Sequence, residues 1–280
     1  MATTTELMGN NVSLVSDGSF QLDGGLLFGS TPRVDWETEL SPDRKNRVRM
    51  GLNSLLIQSP SGVVLVNTGI GSVNQDETRE QYGHSTSKLL SALRKHKVNA
   101  RAVKYVILTH LHFDHSGGAV RRDINGGVVP TFPNARYIIQ RRAWEELNSL
   151  SLRQRQAYGP GIENLQILAD MDRIDFIDGD QEFLPGINIE VTDGYSDGHC
   201  IVSVNTGSEI YAYLGDLVPT PAHICTPIVT GHDKQPERTI EAKTEVLKRA
   251  MQEHWLLVFA HGYKARAGYL TPAGLKPLDF

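Results

Sequence analysis

Cys200 and Cys225 are the only two cysteines in 280 residues. They are too few for a disulfide framework and allow one bridge at most, so two free thiols are the expectation. Also missing is an apolar run long enough to span a membrane, and residues 1–10 hold no basic segment followed by an apolar one. The cytoplasm is therefore the expected compartment, with no membrane partner. Positive charge is not in excess either. The 28 lysines and arginines face 32 aspartates and glutamates, a formal net charge of -4, which leaves no basic field to hold nucleic acid. With no internal repeat, coiled coil or low-complexity tract, residues 1–280 read as one domain around one large core.

What the chain does hold is a concentration of metal-ligand chemistry. Thr109-His110-Leu111-His112-Phe113-Asp114-His115-Ser116-Gly117-Gly118 packs four ligand-type side chains into six residues. Directly before it, residues 103–109 read as a buried strand, with Tyr105, Val106, Ile107 and Leu108 suited to a sheet interior. If the loop leaves that strand extended, His110 and His112 point the same way and can grip one ion. Asp114 and His115, after a turn, can reach a second. Gly117 and Gly118 would let the backbone turn tightly into a short helix starting near Ala119. Imidazole nitrogens and carboxylate oxygens suit divalent transition metals, zinc first, with iron, cobalt and manganese also suited. The competing reading is an incidental polar loop, and so dense a set of ligand types weighs against it.

Around this loop, strands and helices alternate as in an α/β layer fold. Residues 12–16 are a short strand, and Asp23-Gly24-Gly25 is turn chemistry. Between 31 and 49 the chain is charged and proline-punctuated, and Trp36 either walls a pocket or pins this loop to the core. Residues 52–57 and 63–66 form a hairpin turned by Ser59-Pro60-Ser61-Gly62. Asn67-Thr68-Gly69 follows, where Asn67 either hydrogen-bonds around the metal loop or caps its own turn. Residues 71–83 read as a loop, and 85–97 as a helix capped by Ser85 with Leu89, Leu90 and Leu93 on one stripe. A strand at 136–139 and a helix at 141–150 come next. Residues 151–172, broken by Tyr158-Gly159-Pro160-Gly161, are a surface connection or a lid. The alternation at 187–191 predicts a strand, 200–204 with 210–214 a second hairpin, 237–252 an amphipathic helix, and 255–259 a last strand.

Three further ligand candidates sit at the ends of these elements: His199, Asp216 and His261. Each alone is ordinary, but a layered α/β fold gathers strand ends along one edge. One partition gives a first metal His110, His112 and His199, and a second Asp114, His115 and His261, with Asp216 between them. The spacing leaves this allocation open. His223, in Pro219-Thr220-Pro221-Ala222-His223, reads as a group that bonds substrate or a ligand, or as a histidine on a rigid turn. His84, His232 and His254 fall outside the constellation, in surface or packing roles.

Taken together, the His-x-His-x-Asp-His motif at His110 to His115, the glycine-preceded His199, Asp216 of the Gly-Asp pair and His261 resemble the metallo-β-lactamase superfamily of metal-dependent hydrolases. That resemblance implies an α/β fold, a four-layer αββα sandwich of the metallo-β-lactamase type, with two divalent metals at one edge and the partition just given. The phrases Ser16-Asp17-Gly18, Leu22-Asp23-Gly24-Gly25 and Gly215-Asp216-Leu217-Val218-Pro219-Thr220 are similar to lactonase-like members, which include quorum-quenching enzymes that open N-acyl-homoserine lactones. The implied reaction is hydrolysis of a small-molecule ester or lactone. A hydroxide bridging the metals attacks the carbonyl, and Asp114 relays a proton to the leaving oxygen.

The chain departs from the family in two places. Asn67 stands where an aspartate is common in the Asp-Thr-Gly turn, and Tyr195 stands where a histidine often precedes the His199 position by four residues. The tyrosine that lactonase-like members carry just beyond the bridging aspartate is also absent at Val218, Pro219 and Thr220, so Tyr195 or His223 is expected to substitute for it. The rival activities are phosphodiester or phosphotriester hydrolysis, β-lactam hydrolysis and a non-hydrolytic dinuclear redox module. Assembly as a homodimer is left open.

Overall fold

Apolar side chains on both faces of the central strands set the architecture. The computed structural model describes residues 9–84 and 86–278. Its first sheet is built from β1 (Asn11–Asp23), β2 (Arg47–Ser59), β3 (Gly62–Val66) and β4 (Val103–Leu108). A small separate hairpin follows, β5 (Val120–Arg122) with β6 (Val128–Pro130), and then β7 (Arg136–Gln140) and β8 (Ile174–Ile177) complete the first sheet. Its order is β1-β2-β3-β4-β7-β8, antiparallel up to β3 and parallel from there.

The second sheet holds β9 (Gln181–Leu184), β10 (Ile187–Val191), β11 (Cys200–Asn205), β12 (Ile210–Tyr213), β13 (Leu256–Val258), β14 (Ala267–Thr271) and β15 (Gly274–Leu278). These neighbour one another in sequence order, and only β12 and β13 run parallel.

Alternation along each strand sorts residues into layers. Leu55, Ile57, Val64, Val66, Ile107 and Ile138 of the first sheet face Ile189, Val202, Val204, Leu256 and Val258 of the second. Leu56, Leu65, Val106, Leu108 and Ile139 turn the other way, onto Leu89, Leu93 and Ala143. Ala212 and Leu257 turn outward from the second sheet onto Val246, Leu247 and Ala250 of the helix Pro236–Gln252. The result is the expected αββα order, and two-sided burial is why the strands read as continuous apolar runs.

Several local expectations change. β1 runs thirteen residues, well past residue 16. Asp23 opens a short helix, Gly24–Phe28, by accepting from the Gly25 N–H. Trp36, 2% exposed, stacks on Phe28 with ring centroids 4.5 Å apart, so it pins its segment to the core, and it also lines a cavity of about 570 Å³. The expected loop at 71–83 contains the helix Gln75–Tyr82, closed by Gly83 at φ 64°. Ser85 lies outside the described residues, and Asp17 accepts from the Lys88 and Leu89 N–H groups at the start of the helix Leu89–Lys95, at 2.8 and 3.0 Å. In place of a helix from Ala119, a 3-10 turn Gly117–Ala119 leads into β5, whose residues pair with β6. Both cysteines are free, Cys200 buried and Cys225 exposed. Among the described residues no helix is long and apolar enough to cross a membrane.

Candidate metal centre

Strand direction explains why ligands far apart in sequence meet. β12 and β13 are parallel, so Asp216 and His261, which follow them, emerge at the same edge. β11 is antiparallel to β12, so its start, next to His199, lies at that edge too. The first sheet is stitched on there by the Cys200 N–H, which donates to the Thr109 carbonyl at 3.0 Å. A second tie runs from the Gly51 N–H to the His261 carbonyl at 3.1 Å. The metal loop itself is held by Thr68, whose N–H and hydroxyl both donate to the His115 carbonyl, at 2.7 and 2.9 Å.

Two sets of donor atoms form, each within 4.8 Å: His110, His112 and Asp216, and Asp114, His115 and His261. The Asp216 carboxylate lies between them. Its Oδ2 is 3.6 Å from His110 Nε2, while its Oδ1 is 3.2 Å from both His115 Nε2 and His261 Nε2. His110 Nε2 and Asp216 Oδ1 are buried with no hydrogen-bond partner. Buried polar atoms are normally paired, and a cation between these sets is the partner their chemistry fits. The donor set suits two transition-metal ions.

His199 reaches the same place but is otherwise engaged. Its ring centroid is 5.1 Å from that of His110. Its Nδ1 lies 2.7 Å from Thr192 Oγ1, and its Nε2 accepts from the Asp216 N–H at 3.0 Å. The structure thus sets His199 beside the first donor set, and Asp216 reaches both sets.

The electrostatics favour the ligand forms of His110, His112, His199 and Asp216, but not of His261. Burial, then the neighbouring imidazoles, push His110 and His112 well below the usual histidine range. Burial also pushes His199 down to about 4. Against burial, His115 and His261 hold the Asp216 carboxyl well below its ordinary value. Also against burial, Asp216 and Asp114 raise His261 to about 9, and a cation would compete with that proton.

Tyr195 joins the cluster, its hydroxyl 3.1 Å from His112 Nδ1 and its ring 5.1 Å from that of His110. Burial, then Asp216, raise it well above the usual phenol, so it stays protonated. His223 does not join. Its Nδ1 is 2.8 Å from Thr220 Oγ1, its Nε2 is 2.8 Å from the Leu27 carbonyl, and its ring stacks on Phe28. At 1% exposure it has no free ring atom to offer a substrate.

Two adjoining cavities open on the cluster and share His112, Ala157, Tyr195 and His232. A small one of about 20 Å³ has the apolar walls Leu22, Leu27, Met50 and Phe113, and a larger one of about 200 Å³ is edged by Arg153, Gln154 and Lys234. Sequence reasoning set His232 aside, yet it stands 6.1 Å from the His112 ring and lines both. It also overlooked Glu146, a 3% exposed carboxylate that accepts from Tyr158, Gln154, Lys234 and the Asp197 N–H. That network anchors the helix Leu152–Tyr158 beside the cluster, where the Tyr158 ring lies 4.7 Å from that of His112.

Comparison with known proteins points the same way as this geometry. An N-acyl homoserine lactonase of Bacillus cereus is 28% identical over 162 residues, 54% of this chain and 57% of that protein. The N-acyl homoserine lactonase AiiA of Bacillus thuringiensis subsp. kurstaki is 26% identical over 168 residues, with the same coverage. The chain thus spans somewhat over half the length of these curated relatives. Among solved structures, a probable metal-dependent hydrolase from Staphylococcus aureus superposes with a TM-score of 0.85 at 22% identity, covering 96% of each chain. AidC, a dizinc quorum-quenching lactonase, superposes with a TM-score of 0.79 at 20% identity, covering 98% of this chain and 96% of its own. The profile of the Metallo-beta-lactamase superfamily matches residues 48–261, from β2 through the last ligand-type histidine, and the chain belongs to that superfamily.

Proposed function

We infer that the chain is a metal-dependent hydrolase that opens a lactone or ester carbonyl, with N-acyl-homoserine lactones as its substrate class. The observation that carries this reading is the position of Asp216, one carboxylate set between two donor sets that are buried except at Asp114, in the lining of the small cavity. Two cations bound there, zinc in this reading, would supply Lewis acidity and a water acidified toward neutrality.

The chain's own side chains do the rest. Tyr195, kept protonated by burial, donates its hydroxyl hydrogen to the substrate carbonyl oxygen and steadies His112 from behind. Asp114, with its Oδ2 3.4 Å from His261 Nε2, is 11% exposed and so the donor most open to solvent. It takes up the proton that the attacking water gives up and passes it to the leaving oxygen. Leu22, Leu27, Met50 and Phe113 keep the acyl side of the cavity dry. His223 holds the Leu27 carbonyl in place and takes no part in proton transfer. All the donors come from one chain, so the reading does not require a homodimer. It assigns the protein to the cytoplasm, where both thiols stay reduced.

The test is side-by-side turnover of N-hexanoyl-homoserine lactone, an aryl ester, a phosphotriester and a β-lactam by zinc-loaded and chelated protein. Lactone opening that dominates the panel and disappears on chelation is expected. Faster phosphotriester or β-lactam turnover would replace the substrate class, and metal-independent lactone opening would overturn the mechanism.

A further inference from the structure

We propose that the cavity lined by Trp36 is half of a two-fold interface, and that its occupant is a second copy of this chain. The proposal is independent of which reaction the metal centre performs.

The cavity, of about 570 Å³, is enclosed by the segment around the short helix Arg33–Trp36, by β2, by the chain after Thr220, by the turn after His261 and by β15. Of its lining residues only His261 is shared with the two cavities of the metal centre. Much of the lining is apolar, and Leu40, Ile224, Ile228 and Leu275 are each only half-buried there. Eight large apolar side chains are exposed among the described residues. One of them, Tyr263, lines this cavity, and two more, Val34 and Leu278, stand next in the chain to its lining residues Asp35 and Pro277. Apolar groups gathered on one concave face and rimmed by charge have the make-up of a docking surface.

The charges decide what docks. Asp35 and Glu39 line the cavity from one segment, Arg49 and Lys264 from β2 and the turn after His261. All four are exposed, and among the described residues none has an ion-pair partner, so they share one cavity without reaching one another. Arg49 meets only Tyr263, whose ring its guanidinium covers at 5.6 Å and whose hydroxyl it reaches at 3.4 Å. Nearby charges are satisfied within the chain: Arg33 pairs with Glu37 and Arg47 with Asp43, each at 2.7 Å. What is left over is two charges of each sign.

A surface built for an acidic or a basic partner carries one sign in excess. Two acids and two bases on one patch are what a two-fold axis can use, because it sets the same patch against itself and each acid meets a base of the copy. A patch of one sign would repel its own copy. Docking also closes a cavity that reaches His261, a donor of the second set.

The test is sedimentation velocity of the full chain at micromolar concentration and low salt, with folds checked by circular dichroism. Wild type should sediment as a dimer, and salt at about 1 M, where the screening length falls to about 3 Å, should weaken it. Asp35→Lys with Glu39→Lys makes the patch wholly basic, and Arg49→Glu with Lys264→Glu makes it wholly acidic. Each double variant should lose self-association by at least about tenfold. An equimolar mixture of the two should form a heterodimer, because the basic patch of one then faces the acidic patch of the other. A monomeric wild type overturns the proposal, whether bare or carrying a small molecule in native mass spectrometry. A dimer that neither variant weakens pairs through another face and overturns it too, as does failure of the mixed variants to pair. If a variant does not fold, labelling of Lys264 in wild type decides: acylation of its amine should slow as the chain is concentrated into the dimer, and an unchanged rate overturns the proposal.

Discussion

Gly118 lies so close to Thr68 that a methyl group on its Cα would meet the Thr68 carbonyl oxygen at 2.1 Å. The contact is backbone on backbone, and no side chain can swing away to relieve it. Because Thr68 also holds the His115 carbonyl, the strain would pass directly into the metal loop. Gly118→Ala should lose about 1–3 kcal/mol of stability, the usual range for overpacking. A thermal melt checks this, and the shift should shrink when saturating zinc is added.

Asp216 is the one carboxylate shared by both donor sets. Asp216→Asn keeps the shape but removes the charge and turns one acceptor into a donor facing imidazoles. Both cations should bind more weakly, by at least the roughly 10–100-fold seen when mere ligand-orienting groups are lost. Metal content after gel filtration and lactone turnover should fall together. Two cations retained with unchanged turnover would contradict the central position given to this residue.

Glu146 receives four donors, among them the Tyr158 hydroxyl at 2.6 Å and Lys234 Nζ at 2.8 Å. Lys234, about a third exposed, keeps a second partner in Asp197. Glu146→Ala should therefore cost about 2–3 kcal/mol, somewhat less than breaking a fully buried ion pair. The helix Leu152–Tyr158 should lose amide-exchange protection first, and KM should rise more than kcat falls.

Lys243 is buried to 1% exposure, its Nζ donating to the Ile228 carbonyl, and burial lowers it to about 8. Between pH 8 and the ordinary lysine value of 10.5, the unfolded chain holds a proton that the folded one has released. Stability therefore rises with pH across that window, and the penalty is fully present below pH 8. Measured against Lys243→Met, wild type should gain on the order of 3 kcal/mol from pH 8 to 10.5. Parallel denaturation curves for the two proteins over that range would contradict the assignment.

The site was more legible in the sequence than its surroundings were. Ligand-type residues at the ends of apolar runs carry a signal that survives without knowledge of contacts, which is why His110, His112, Asp114, His115, His199, Asp216 and His261 stand out in the sequence, and the fold brings them to one edge. The fold class followed from apolar runs long enough to be buried on both faces. What could not be read depends on partners remote in sequence. Asp17 caps a helix about 70 residues away, a role invisible beside Ser16 and Gly18. The helix Gln75–Tyr82 is polar along most of its length, with only Thr78 buried, so it leaves no stripe to detect. His223 is a candidate in the sequence because imidazole transfers protons near neutrality and Asp216 lies close before it, while the proline-rich turn offers the plainer reading. The His223 ring nitrogens are engaged by Thr220 and, from across the fold, Leu27. Asn67 stands out in the sequence as a departure, but its contacts with Thr109, His115 and Tyr213 needed the fold.

The donors divide between the two halves of the chain. His110, His112, Asp114 and His115 come from the half that builds the first sheet, Asp216 and His261 from the half that builds the second. Severed between β8 and β9, neither fragment would own a complete coordination set. Chemistry is then a property of their docking, and bound ions act as rivets across the seam, so that ion occupancy and cohesion of the sandwich become a single variable.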